Sequence, residues 1–168
     1  MKNDEDVAKH LQRWPGLFLR QGLHIIESSP EDQAIAHAYP HWPDKGPLQN
    51  GQRITLLARD TTFHVDEEIH ILHVHEVITP GGLVHVMGPK PVYDEYLDDR
   101  LVTPESPPGD DPFDPSLYNG RAIPSPAVDY NFEITTYRFS APGRHRIDWR
   151  AGGLRSNTLI LDIRTRQL

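Results

Sequence analysis

The chain has 168 residues, with 24 acidic against 17 basic side chains and a formal net charge of -7 at neutral pH. That balance argues against a general binder of nucleic acid or of an anionic membrane, because either would be met with repulsion away from a local basic patch. No cysteine is present, which excludes disulfides, thiolate metal sites and thiol nucleophiles.

The length suits one domain over residues 1–168, able to bury a core without staples. The opening Met-Lys-Asn-Asp-Glu-Asp-Val lacks the apolar stretch of a secretory signal, and no 18 apolar residues run together, so no membrane span and a cytoplasmic location are expected. Sixteen prolines and twelve glycines suit a sheet protein with many turns.

In chain order, Val7, Leu11 and Trp14 fall at helical spacing between a capping Asn3 or Asp4 and the stop at Pro15-Gly16, predicting a short amphipathic helix over residues 1–14. Its stripe must dock on the sheet or on another protein. Leu17–Leu19 and Leu23–Ile26 read as a strand pair around Gln21-Gly22. Ser29-Pro30-Glu31-Asp32 supplies a cap, a first-turn proline and early acids for one or two helical turns over Gln33–Ala38. A proline-rich loop follows over residues 39–51.

The main strands are expected within 53–102 and 129–165. Arg53–Arg59 begins them, and Ile69–Ile78 is the longest candidate, turned by Thr79-Pro-Gly-Gly82 into Leu83–Met87. An extended segment is expected over Val92–Val102. The stretch 103–128 reads as a long proline-rich loop, and long ordered loops in compact domains are commonly functional. Phe113, Leu117, Tyr118 and Ile123 are its natural anchors. Four short alternating stretches then predict a β-meander: Tyr130–Ile134, Tyr137–Phe139, His145–Trp149 and Leu159–Ile163, with a bulge at Thr135-Thr136. Arg144, Arg146, Arg150, Arg155, Arg164 and Arg166 fall along this region as a solvated outer face.

Five of the ten histidines lie within 22 residues, at 64, 70, 73, 75 and 85. Residues two apart on a strand share a face, so His73 and His75 project together, and a hairpin partner brings His85 beside them. Imidazoles grouped in this way suit a divalent transition metal, with His64 or His70 as further ligands. The bland alternative is a moderately polar sheet face in which each imidazole bonds backbone or water. Ile69, Ile71, His73, His75 and Val77 lie on one face of this strand and His70, Leu72, Val74 and Glu76 on the other, so neither face is cleanly polar. His145 shares a face with Ile147 and Trp149 and is expected to be packed. The acids at 94–99 and 110–114 do not match a regular calcium-loop spacing. No serine sits in Gly-X-Ser-X-Gly and no phosphate-binding glycine motif is present, so no catalytic residue is assigned.

The stretch Ala141-Pro-Gly-Arg-His-Arg-Ile-Asp-Trp-Arg150 resembles the penultimate strand of bacterial immunoglobulin-like sandwiches, among them the copper-binding CopC-like domains. The resemblance covers residues 129–165 and implies a fold only. Gly152-Gly-Leu-Arg-Ser-Asn157 replaces the Asp-Gly-His turn of the copper-binding group, so no copper ligand is carried over.

The expected fold is an all-β, immunoglobulin-like antiparallel β-sandwich with a short N-terminal helix and a long Pro-rich loop. Three functional readings stand open. The first is a non-enzymatic module for protein–protein interaction or homo-oligomer assembly, with Val7, Leu11, Trp14, Phe113, Leu117 and Tyr118 as partner-binding residues. The second is a metal-dependent site at His73, His75 and His85. The third is a small-molecule or biosynthetic accessory role in which the 103–128 loop is a lid.

Overall fold

The computed structural model describes residues 7–115 and 120–166. Residues 1–6 of the helix expected over 1–14 lie outside the described residues, and among residues 7–14 the structure holds a 3-10 turn, Lys9–Gln12, and no α-helix. The turn lacks a capping side chain and first-turn acids, and Arg13 is already extended at φ -85° and ψ 129°. Trp14 precedes Pro15 and is biased away from helix as well. The cap positions Asn3 and Asp4 lie outside the described residues. Next comes the expected hairpin, β1 (Phe18–Gln21) with β2 (His24–Glu27), turned at Gly22 with φ +60°. The expected helix forms as α1 (Pro30–His37): the Ser29 hydroxyl accepts from the Asp32 N–H at 3.1 Å, with proline and two acids in the first turn.

The remaining strands are β3 (Gln52–Leu57), β4 (Thr62–His64), β5 (Ile69–Val77), β6 (Leu83–His85), β7 (Glu95–Leu97), β8 (Arg100–Leu101), β9 (Ala122–Pro124), β10 (Ala127–Asp129), β11 (Thr135–Tyr137), β12 (Gly143–Trp149) and β13 (Leu159–Arg164). β5 is the spine of the first large sheet. β3 pairs with it from Gln52 opposite Val77 to Leu57 opposite Leu72. β10 and β11 pair with successive parts of β5, Ala127 opposite Val77 and Thr135 opposite Ile71. The nine residues from Ala127 to Thr135 thus match seven on β5, and the two extra are absorbed where pairing lapses between Asp129 and Thr135. Buried Asn131 fills that lapse: its Oδ1 accepts from the Phe18 N–H at 2.8 Å, and its amide donates to the carbonyls of Gly16 and Val86. The break in the ladder is therefore at 130–134, where a strand was expected, and not at Thr135-Thr136.

The second large sheet runs β4-β13-β12-β7-β8. β4 and β13 pair in parallel, so the sheets are mostly, not wholly, antiparallel. Three sequence expectations are corrected here. The extended segment 92–102 is the β7–β8 hairpin, turned by Asp98 and Asp99, both at positive φ. The 103–128 loop contains β9 and the start of β10, and β9 pairs with β6 in a small sheet of its own. The expected meander is divided: β11 joins the first large sheet while β12 and β13 pair in the second.

The inward faces of both large sheets share one core around Trp149, Ile54, Leu56, Ile69, Ile71, Ile147, Leu161 and Phe132. A second core lies on the opposite face of β5, where Leu72, Val74 and Leu57 meet Ile35 and Ala36 of α1, Tyr39 and Tyr130. β5 is therefore covered on both faces, which explains why its alternation is not cleanly apolar and polar. Gly46 holds the 39–51 loop against β3. A Cβ there would stand 1.8 Å from the Ile54 carbonyl oxygen, and its N–H donates to the Thr55 hydroxyl at 3.0 Å.

Candidate functional site

On the face of β5 turned toward the second sheet, His73 and His75 follow each other as expected, but they enter different surroundings. His73 meets Glu95 of β7, Nε2 to Oε1 at 2.5 Å, with both side chains at 0% exposure. The Tyr137 hydroxyl of β11 donates to the other Glu95 oxygen, and the His73 ring stands edge-on to Trp149 at 4.9 Å between centroids. Burial alone would push the Glu95 carboxyl up. The charge and hydrogen bond of His73, with the hydrogen bond from Tyr137, outweigh it and hold the group below its ordinary range. Burial and then the Glu95 charge push the Tyr137 hydroxyl up, so it stays a donor. This network joins the two sheets through their shared core.

His75 lies two residues on, and its Nε2 is 2.8 Å from the Gln52 Oε1 of β3. Its ring is stacked on Phe113 at 4.0 Å with planes 15° apart. Burial, with a smaller contribution from the Lys90 charge, pulls its pKa down to about 3, so the imidazole is neutral at physiological pH. Lys90 is itself buried, with its ammonium 2.8 Å from Asp129 and 2.8 Å from the His85 carbonyl oxygen to which it donates. The His85 Nε2 is 3.3 Å from Asp114 Oδ2. His75, His85, Asp111, Asp114 and Phe113 line one cavity of about 250 Å³ with Gln52. The structure thus brings His75 and His85 to a common cavity and sends His73 into the core network. Among the described residues, no three His, Asp or Glu side chains converge as a metal-ligand group.

The other two histidines of the cluster lie elsewhere. His64 is on β4 of the second sheet, exposed and 3.9 Å from Glu67. His70 points to the opposite face of β5, where Nδ1 is 3.1 Å from buried Asp32 of α1 and Nε2 is 3.0 Å from Glu68. Partial burial would lower the His70 pKa, but the hydrogen bonds and charges of Glu68 and Asp32 prevail and raise it. Depressions of about 270 and 350 Å³ flank the Asp32–His70 pair. On the same face buried Glu76 accepts from the Tyr39 hydroxyl at 2.6 Å and lies 2.7 Å from His10 Nε2 and 3.5 Å from Arg53 Nε. His145 is packed as expected, stacked on Phe139 at 4.0 Å, and is also 2.7 Å from Asp98. Glu67 and Glu68 are near neighbours in sequence of the histidines they meet, whereas Asp32, Glu76 and Asp98 come from distant segments; the Ser29 cap, which sets the phase of α1, is the one signal that bears on Asp32.

Of the residues expected to bind a partner, Leu11 and Trp14 pack on the second core, and Trp14 also stacks on His37 at 3.7 Å. Val7 and Leu11 border a depression with His37 and Pro40. Phe113 is buried against His75, and Leu117 and Tyr118 lie outside the described residues. Exposed apolar surface instead gathers on the β1–β2 hairpin: Leu23 at its tip is 98% exposed, and Ile25 and Ile26 are 47% and 38% exposed. All four residues of β2 are exposed, and among the described residues β2 pairs only with β1.

Comparison with protein-family models, curated proteins and solved structures finds no match to the chain.

Proposed function

We propose that the protein is a non-enzymatic interaction module that assembles through its β1–β2 hairpin. The observation that carries this reading is β2, an exposed strand that among the described residues pairs only with β1 and leaves its other edge open, beside a tip leucine that is almost wholly in water. An open edge presents a row of unpaired N–H and C=O groups, and natural proteins blunt such edges unless another chain is to pair with them. Here the edge carries two isoleucines and no lysine or proline.

A second copy of the chain is the simplest occupant. An antiparallel edge is self-complementary about a two-fold axis, so β2 pairs with β2 of a partner copy, extending two hairpins into a four-stranded ribbon. The fold we take to be an immunoglobulin-like sandwich, a reading supported by two large sheets that share the Trp149 core.

Sedimentation velocity over a concentration series tests the assembly. The wild type is expected to shift toward dimer mass as concentration rises, and the Leu23→Ser/Ile25→Thr/Ile26→Thr variant to remain monomeric. A wild type that is monomeric at every concentration, or a variant that dimerises equally, overturns the reading.

A further inference from the structure

Lys90 and Asp129 carry a chemistry that the hairpin reading leaves unused. Lys90 lies between β6 and β7, Asp129 ends β10, and each is 1% exposed. Their backbones are fixed against one another: the Lys90 N–H donates to the Asn131 carbonyl at 2.9 Å, and the Glu133 N–H donates to the Lys90 carbonyl at 2.8 Å. Lys90 Nζ stands 4.9 Å from the centre of the Phe132 ring, so one side of the ammonium faces hydrocarbon. A buried ion pair ordinarily holds itself by aligned, charge-assisted hydrogen bonds. Here Nζ and Asp129 Oδ2 are 2.8 Å apart, yet among the described residues Oδ2 has no aligned hydrogen bond. Nζ instead donates to the carbonyl oxygens of His85 and Met87 at 2.8 and 3.2 Å, and the Asn131 N–H donates to Asp129 Oδ1 at 2.9 Å. Burial, only partly offset by the Lys90 charge, pushes the Asp129 carboxyl up and so toward its neutral form.

An amine and a carboxyl held together in a dry site are the two halves of an amide. We propose that Lys90 and Asp129 condense into an intramolecular isopeptide bond between Nζ and Cγ. The ammonium gives one proton to Oδ2, leaving a neutral amine beside a carboxylic acid. The Nζ lone pair then forms a bond to Cγ, and the Asn131 N–H stabilises the charge that develops on Oδ1. A second proton passes from Nζ to Oδ2, the Cγ–Oδ2 bond breaks, and one water leaves. Nothing is oxidised or reduced and no co-reactant is consumed. Proximity supplies the driving term, since well-oriented intramolecular partners reach effective concentrations of roughly 10⁵–10⁸ M, and exclusion of water protects the product from hydrolysis. In a chain without cysteine, the amide takes the place of a disulfide staple, tying the connection between β6 and β7 to the end of β10. Neither residue belongs to β1 or β2, so the proposal stands apart from hairpin assembly.

Intact mass spectrometry of the denatured full chain tests it, on fresh protein and after prolonged incubation of the folded state. The wild type is expected to weigh one water less than its sequence, and a protease digest to yield a branched peptide joining Lys90 to Asp129. Lys90→Met/Asp129→Leu, which replaces both members of the pair with apolar groups, is expected to show its full sequence mass and no branched peptide. A folded wild type that keeps its full sequence mass after incubation, or a water loss that maps to any other pair of residues, would overturn the proposal. Both readings come from the wild type, so they hold even where the double variant fails to fold.

Discussion

The imidazole of His73 and the carboxylate of Glu95 meet at 2.5 Å in the shared core, and neither side chain touches water. The pair joins β5 of one sheet to β7 of the other, with Tyr137 closing the network from β11. Removing one partner of a buried pair strands the other, at a cost of roughly 3–5 kcal/mol, whereas replacing both with apolar groups is often close to neutral. Glu95→Ala is therefore expected to lose about that much in urea unfolding, and His73→Leu/Glu95→Leu to lose much less than the sum of the single changes.

Glu95 also sets an acid limit. Its folded-state pKa lies below that of the unfolded chain, near 4.3 for a free glutamate, so its contribution is present above that value and lost as pH falls through the folded pKa. Unfolding free energy followed downward from pH 5 is expected to fall in the wild type and to flatten over that window in His73→Leu/Glu95→Leu.

His75 acts at higher pH and by a different route. Its folded pKa of about 3 lies below the roughly 6.5 of a free histidine, so between these values the unfolded chain binds a proton that the folded chain does not. Stability therefore rises with pH through that window, by up to ~1.4 kcal/mol per pH unit. His75→Phe is expected to reduce this slope between pH 4 and 6, measured by denaturant unfolding at fixed pH. An unchanged slope would place the titrating group elsewhere.

His70 has the opposite sign. Asp32 and Glu68 raise its folded pKa, so its contribution is fully present below about 6.5 and fades as pH rises through the folded value. Its side chain is 37% exposed, so water screens the effect to within ~1 kcal/mol. NMR titration of the His70 ring is expected to give a pKa above that of a free histidine, and Asp32→Asn to lower it.

Phe113 depends on a glycine far from it in sequence. A Cβ on Gly152 would come within 2.6 Å of the Phe113 ring, and Gly152 has φ +59°. Gly152→Ala thus combines backbone strain with displacement of the residue that pins the 111–114 turn over His75. Loss of stability and faster proteolysis within 103–128 are expected together; a variant cut no faster than wild type would show that Phe113 is not the anchor.

Much of this architecture was legible from local chemistry. The Ser29-Pro30 start announced α1, Gly22 announced the first hairpin, and short apolar-rich stretches between turn residues announced β12 and β13. β5 was legible as a strand but not in its surroundings, since alternation tells which residues share a face and not what covers it. Hence one histidine cluster read from the sequence is distributed to a core pair at His73, a cavity at His75 and His85, and an outer-face pair at His70. The partners that decide these roles come from distant segments: Glu95 is 22 residues from His73, Asp32 is 38 from His70 and Glu76 is 66 from His10. β4, β9 and β10 were missed because three residues are too few to show a period.

Amide hydrogen exchange of residues 23–28, compared between low and high protein concentration, tests the assembly reading most directly. Pairing of β2 with a second copy predicts that these amides slow at high concentration in the wild type and not in Leu23→Ser/Ile25→Thr/Ile26→Thr. Exchange at the same rate at both concentrations would contradict it.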